Sequence, residues 1–311
     1  MTTARALSRR ALLTALPASL TALSAAGATP AASKPGFDVI EIPLTLGRGL
    51  GRAVLVAAPR GPAKDGSLPL VVLLHGLGET GNERAGLFAW LGPYGLSRAW
   101  ERLERPPLAR LNEDYVSPAE FGELNASLAA DPFRGAIVVC PFMPNPYAGG
   151  DAGPRLDRYA SALEQQILPA VRARLPAASP EAAHTGVGGV SLGGAVALEV
   201  FLRKPTSFAT LATVQGAYGK GLAATFARRI AEAESLEGRS VYVSTSLGDP
   251  YRAANERLAR ELTQRGIATR LSVRKGPHSQ GWLTEIGSLE LLLWHDRALR
   301  GQIETGRVGA S

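Results

Sequence analysis

The sequence predicts an α/β fold: a mostly parallel, eight-stranded sheet with helices on both faces. Three observations carry this reading. Eight short β-like runs recur along the chain, and six of them, from residue 69 onward, are apolar without strict alternation. Continuous apolarity fits strands covered on both faces, which is the condition of parallel sheets. Helical patterns lie between most of these runs, and alternating strands and helices argue for a parallel sheet. Finally, a glycine-rich junction at 183–199 joins a strand-like run to an Ala/Leu-rich helical run around Ser191.

Residues 1–28 read as an export signal. Ser8-Arg9-Arg10-Ala11-Leu12-Leu13 resembles the twin-arginine signature, an Ala/Leu-rich stretch follows over 11–23, and Ala26-Gly27-Ala28 offers a small-residue cleavage site. The apolar stretch is short for a bilayer span, so no integral membrane segment is expected once the signal is removed, and the protein is expected to be periplasmic or extracellular. Residues 29–36, rich in Pro, Ala and Ser, read as a flexible leader. A single domain is expected over 37–300, with 301–311 as a tail.

Within that domain, Phe37 to Leu44 and Arg52 to Ala58 are β-like runs joined by a turn at 47–51, and 60–68 is a loop with two prolines and two glycines. The six apolar runs follow: Pro69 to Leu74, Gly135 to Cys140, Thr185 to Val190, Ala209 to Val214, Ser240 to Ser246 and Ala268 to Lys275. Helical periodicity marks Tyr159 to Leu175, through Leu163, Ile167, Leu168 and Val171. It also marks Ala253 to Gln264, through Ala254, Leu258 and Leu262. The segment 79–134 is longer than a crossover needs, and at the carboxyl end of a strand such an insertion can wall a pocket.

Composition narrows the function. Hydrophobic residues make up 45% of the 311, ample for a packed core and too few for an integral membrane protein. The net charge of +7 falls to +4 once Arg5, Arg9 and Arg10 leave with the signal, and no basic run interleaved with aromatics appears. Nucleic-acid binding is therefore not expected. Cys140 is the one cysteine, so no intrachain disulfide forms. Its place at the end of an apolar run fits a buried, inert thiol. His75, His184, His278 and His295 lie far apart without metal-ligand spacing, so no metal is expected.

The chemistry centres on Gly189-Val190-Ser191-Leu192-Gly193, a G-x-S-x-G pentapeptide. On a sharp strand-to-helix turn such a serine has a strained backbone and an exposed hydroxyl. Leu192 opens the helix, so its N–H can face a developing negative charge. A serine hydroxyl needs a base to become a nucleophile, and in open α/β sheets working residues gather beyond the strands' carboxyl ends. Asp249 is the first acidic residue after the run 240–246, and His278 follows the run 268–275. Each has a plainer reading: Gly-Asp-Pro is turn chemistry, and His278 is also compatible with a surface loop. His75 reads as holding its loop, His184 as structural because it precedes its strand, and His295 as packing or a helix-end charge.

With these residues in view, the chain resembles the α/β-hydrolase superfamily, whose triad follows the order Ser…Asp…His. More narrowly it resembles the putative esterase family of feruloyl esterases, enterochelin esterases, S-formylglutathione hydrolase and mycolyltransferases. The resemblance runs from about residue 37 to residue 298. It rests on Leu74-His75-Gly76, Gln166-Ile167-Leu168-Pro169, Gly189 to Gly193, Gly248-Asp249 followed by Asn255 and Leu258, and His278 with Trp282. The family usually shows Gly-Gly-His-Xaa-Trp near its catalytic histidine. Here Gly276-Pro277-His278-Ser279-Gln280-Gly281-Trp282 departs from that pattern. The resemblance implies a cofactor-free serine hydrolase acting on carboxylic esters of small molecules or polysaccharides. Ser191, Asp249 and His278 would be its triad, with the Leu192 and Leu77 N–H groups as oxyanion donors. Two alternatives stay open: acyl transfer to a sugar or lipid alcohol through the same acyl-enzyme, and a non-catalytic binding protein on the same fold. The acyl and alcohol groups and the oligomeric state are not readable from the residues.

Overall fold

A computed structural model describes residues 36–61, 66–111, 114–233, 238–302 and 306–309. The expected signal and all of the expected leader but Gly36 lie outside the described residues. One sheet organises the rest. Its strands are β1 (Phe37–Pro43), β2 (Ala53–Pro59), β3 (Leu70–Leu74), β4 (Ile137–Pro141), β5 (Thr185–Val190), β6 (Thr210–Val214), β7 (Ser240–Gly248), β8 (Ala268–Pro277) and β9 (Gly306–Gly309). Their spatial order is β1-β2-β4-β3-β5-β6-β7-β8-β9. The β1–β2 and β2–β4 pairs are antiparallel and all others parallel. All eight expected strands form. A ninth strand, Gly306–Gly309, lies within the stretch expected as a tail and pairs in parallel with β8. Four residues, Gly-Arg-Val-Gly, carry too little apolar pattern to announce a strand; they extend the sheet through backbone pairing at its edge.

The apolar runs are continuous because successive side chains enter two different cores. Val54, Val56, Leu70, Val72, Leu74, Val187, Leu211 and Val243 face one layer. It is built from α4 (Gly153–Ala162), α5 (Leu168–Arg174), α6 (Leu192–Arg203), α7 (Lys220–Glu232) and α8 (Arg252–Gln264). Leu55, Ala57, Val71, Leu73, Val138, Cys140, Val190 and Val214 face the other. That layer comes from α1 (Glu83–Phe88), α2 (Leu96–Glu104), α3 (Pro118–Ala130) and α10 (Ser288–Ala298). The short helix α9 (Gln280–Trp282) follows β8. The helices of the 79–134 segment thus form much of one covering layer, with Trp90, Trp100, Leu103 and Phe121 buried in it. Among the described residues no helix is long and apolar enough to cross a membrane.

Two helical stretches each contain a π turn. Leu163–Ile167 joins α4 to α5, and Leu283–Gly287 joins α9 to α10. Glycine in β5 has a packing cause. A Cβ on Gly186 would come 2.8 Å from His295 Nδ1, and one on Gly188 would come 3.2 Å from Nε2. The imidazole of His295 fills that space, bonded at 3.0 Å to Thr210 Oγ1. Burial pushes its pKa down to about 3, so it is a neutral packing residue. Burial likewise pushes the Cys140 thiol up to about 12, which makes it inert.

A buried ion cluster ties the second layer to the strand that leads to His278. Arg274 on β8 donates to Glu290 of α10 at 2.5 Å and to Glu120 of α3 at 2.7 Å. Ser272 Oγ and Tyr242 Oη donate to the other Glu290 oxygen at 2.7 and 3.2 Å. Burial alone would raise the Glu290 pKa, but the Arg274 guanidinium and these donors outweigh it and hold the carboxyl below its usual range. Removing the cation strands a buried carboxylate, at a cost of about 3–5 kcal/mol. Arg274→Ala should therefore lose about that much stability in urea unfolding at neutral pH; a loss under about 1 kcal/mol would show that the cluster is dispensable.

Candidate active site

Ser191 stands between β5 and α6 with φ 54° and ψ −120°. Only one other described non-glycine residue, Gln215, has a positive φ. Such a conformation costs about 1–3 kcal/mol and persists only where its surroundings enforce it. Those surroundings are glycine contacts. A Cβ on Gly189 would collide with the Gly193 carbonyl, and one on Gly193 would collide with the carbonyls of Leu74 and His75. Backbone bonds then hold the turn: Ser191 N donates to Val214 O at 3.0 Å, and Ala217 N donates to Ser191 O at 2.9 Å.

Asp249 and His278 are brought into direct contact, with His278 Nδ1 3.0 Å from Asp249 Oδ1. β7 and β8 are adjacent, and a register shift between Ser246 and Gly248 bends the end of β7 next to Pro277. The Asp249 carboxylate is buried and accepts hydrogen bonds on both oxygens. Thr245 Oγ1 donates to Oδ2 at 2.6 Å, and the Tyr251 N–H donates to Oδ1 at 3.0 Å. With Oδ1 of Asp249 as acceptor, the His278 proton sits on Nδ1 and leaves Nε2 free to accept. The His278 side chain is 26% exposed, with the Tyr251 ring edge-on at 5.8 Å.

Ser191 lies on the same rim, at the end of β5 and across β6 from β7. Its hydroxyl makes no hydrogen bond among the described residues, to His278 or to any other group.

The loop after β3 abuts the serine. A Cβ placed on Gly76 would be 3.7 Å from Ser191 Cβ. His75 is buried in this loop with both ring nitrogens engaged. Met143 N donates to Nε2 at 2.9 Å, and Nδ1 lies 2.9 Å from the Gly76 carbonyl. Burial, the leading cause, lowers its pKa, so His75 is a neutral brace, consistent with its expected role in holding the loop. Leu77 follows, 43% exposed, and opens a short 3-10 turn. The N–H groups of Leu77 and Leu192 both begin helical turns, and neither finds an acceptor among the described residues. His184 precedes β5 at the opposite end of the strand, 3.0 Å from Ser179 Oγ. No group of three or more His, Cys, Asp and Glu side chains suited to a metal lies among the described residues.

Three contributors to this rim carry no sequence signal of the kind sought. Thr245 reads as an ordinary strand residue. Tyr94 lies in a segment without periodicity. Gln215 is neither acid nor base, although it directly follows the run 209–214, at the strand end where functional residues are sought. Its side chain is buried, and its Nε2 donates to Ser246 Oγ at 2.7 Å and to Pro277 O at 3.0 Å. It thereby holds the peptide immediately before His278. Trp282 pins the same loop by donating from Nε1 to Lys275 O at 2.9 Å.

Comparison with known proteins gives the same outline. Residues 144–282 match the family described as putative esterase. A ferulic acid esterase is similar in structure, with a TM-score of 0.60 and 16% identity over 84% of this chain and 98% of that one. An S-formylglutathione hydrolase from Staphylococcus aureus has a TM-score of 0.53 and 12% identity, over 89% of this chain and all of that one. The enterobactin esterase from Shigella flexneri has a TM-score of 0.53 and 19% identity over 87% of this chain, which spans about three fifths of its length, 61%. No curated protein matches by sequence. The expected fold and the resemblance to the putative esterase family are borne out.

If Gln215 holds the His278 loop, Gln215→Ala should lower turnover of an activated ester about 10- to 100-fold, as small misplacements of catalytic groups do. Gln215→Gly, which removes the backbone strain as well, should be no better. Steady-state rates with a p-nitrophenyl ester decide it, and unchanged turnover in either variant would refute the role.

Proposed function

We propose that this chain, of the α/β-hydrolase fold, is a carboxylic ester hydrolase that works as a serine esterase through Ser191, His278 and Asp249. The observation that carries the proposal is the buried Asp249–His278 pair on the same sheet rim as a serine whose backbone is strained to φ 54°. A hydrogen-bonded carboxylate aimed at Nδ1 is what an imidazole needs to present a basic Nε2 outward.

In this reading Ser191 Oγ attacks the ester carbonyl and its proton passes to His278 Nε2. Asp249 keeps the imidazole in the required tautomer and stabilises the imidazolium that forms. The carbonyl oxygen becomes an oxyanion between the N–H groups of Leu192 and Leu77. Support for Leu77 rather than its neighbour is that the Gly76 N–H is already donated to Tyr94 Oη at 3.0 Å. The imidazolium returns its proton to the departing alkoxide, leaving Ser191 acylated. Water, deprotonated by the same imidazole, then attacks the acyl-enzyme and frees the acid.

We take the substrate to be a small-molecule or polysaccharide-linked ester met outside the cytoplasm. The twin-arginine-like Ser8-Arg9-Arg10 segment supports export, as does a chain that needs no disulfide. The departure from Gly-Gly-His-Xaa-Trp around His278 argues against borrowing any one relative's substrate.

Ser191→Ala should abolish hydrolysis of a simple activated ester while leaving the circular dichroism spectrum and melting temperature near wild type. Retained turnover in that variant would remove Ser191 from the mechanism.

A further inference from the structure

The loop that supplies the Leu77 N–H is gripped from the 79–134 segment. Tyr94 is buried, its ring edge-on to Trp90 at 5.3 Å and its backbone N–H bonded to Ala89 O at 2.9 Å. Its hydroxyl donates to Glu79 Oε2 at 2.5 Å and accepts the Gly76 N–H at 3.0 Å. These groups crowd one point beside the serine. A Cβ on Gly76 would lie 3.0 Å from Tyr94 Oη, 3.7 Å from Glu79 Oε2 and 3.7 Å from Ser191 Cβ.

Resting on the serine-esterase reading above, we propose that Tyr94 and Glu79 are positioning residues that aim the Leu77 N–H at the oxyanion. The Leu77 N–H belongs to the peptide whose carbonyl is that of Gly76, and in a planar trans peptide the two point in opposite directions. Rotation at Gly76 therefore decides where the Leu77 N–H points, and glycine rotates more freely than any other residue. The fold restrains it on both sides. His75 Nδ1 holds the Gly76 carbonyl, and Tyr94 Oη holds the Gly76 N–H.

Glu79 gives the Tyr94 contact its direction. A phenol has one proton to donate, and the carboxylate takes it, so the oxygen presents a lone pair to Gly76. Burial first, and then this bond to Glu79, raises the phenol pKa well above its ordinary value, so the proton stays in place at working pH. Glu79 itself closes the turn that begins at Leu77 (Leu77–Glu79). One dyad thus ties the start of the long segment to Tyr94 and to the loop that precedes it.

The test is the steady-state kinetics of Tyr94→Phe, Glu79→Gln and Glu79→Ala on a small activated ester, with melting temperatures. Complete loss of one oxyanion donor typically costs about 10²–10³ in turnover. Misaiming one should cost less, so Tyr94→Phe is expected to lower kcat about 10- to 100-fold with KM unchanged. Glu79→Gln, which still accepts from the phenol, should retain most of kcat, and Glu79→Ala should fall toward Tyr94→Phe. A wild-type kcat in Tyr94→Phe, or a defect confined to KM, overturns the inference. Should Tyr94→Phe fail to fold, the part-exposed Glu79 decides: reduced kcat in Glu79→Ala restored in Glu79→Gln supports it, and equal kcat in both overturns it. An inactive Ser191→Ala beside a fully active Tyr94→Phe refutes only the positioning role, whereas an active Ser191→Ala refutes the mechanism beneath it.

Discussion

The site depends on one backbone constraint, the turn that holds Ser191 at φ 54° between β5 and α6. The turn exists because side chains are missing where strand, helix and loop meet. Without a Cβ on Gly193, α6 can settle against the carbonyls of Leu74 and His75. That approach brings the first N–H of α6 beside the loop that carries Leu77, so the geometry that exposes the serine also sets the two candidate donors next to it. Gly194 extends the same logic toward β6, where a Cβ would press on Thr213 Oγ1 and Gly216. Strain at the serine is thus sustained by close packing on three sides.

The imidazole side of the rim is built differently, by polar contacts. β7 bends at its last residues, Asp249 accepts from Thr245 and Tyr251, and the stretch from Lys275 to Pro277 is pinned by Trp282 and Gln215. Gln215 has a strained backbone, φ 46°, and a buried Oε1 without a partner among the described residues. Buried unsatisfied polar atoms are uncommon and costly. Strain and an unmet acceptor in one residue mark a place where the fold gives up stability to hold a loop.

Much of this was legible in the residues because it follows from local rules. Parallel strands buried on both faces leave continuous apolar runs, and the run Thr185 to Val190 matches β5 residue for residue. Searching strand ends for acids and bases finds Asp249 and His278, which the structure joins. Tyr94, Glu79 and Gln215 were not legible, for a physical reason. Each acts through a hydrogen bond to a backbone group distant in sequence or to a group whose orientation only the tertiary fold determines. The 79–134 segment shows the same limit: its length was visible, but which parts cover the sheet and which reach the serine depends on packing. β9 is a third case, since an edge strand of four residues needs only a partner's free backbone groups and no pattern of its own.

The central claim is that one hydroxyl among the chain's many serines is activated by one imidazole. Mass-spectrometric peptide mapping after treatment with a fluorophosphonate tests it most directly, comparing wild type with a folded His278→Ala variant. The account predicts a single adduct, on Ser191, whose formation collapses when His278 is removed. An adduct on another residue, no adduct on the folded wild-type protein, or undiminished labelling without His278 would contradict it.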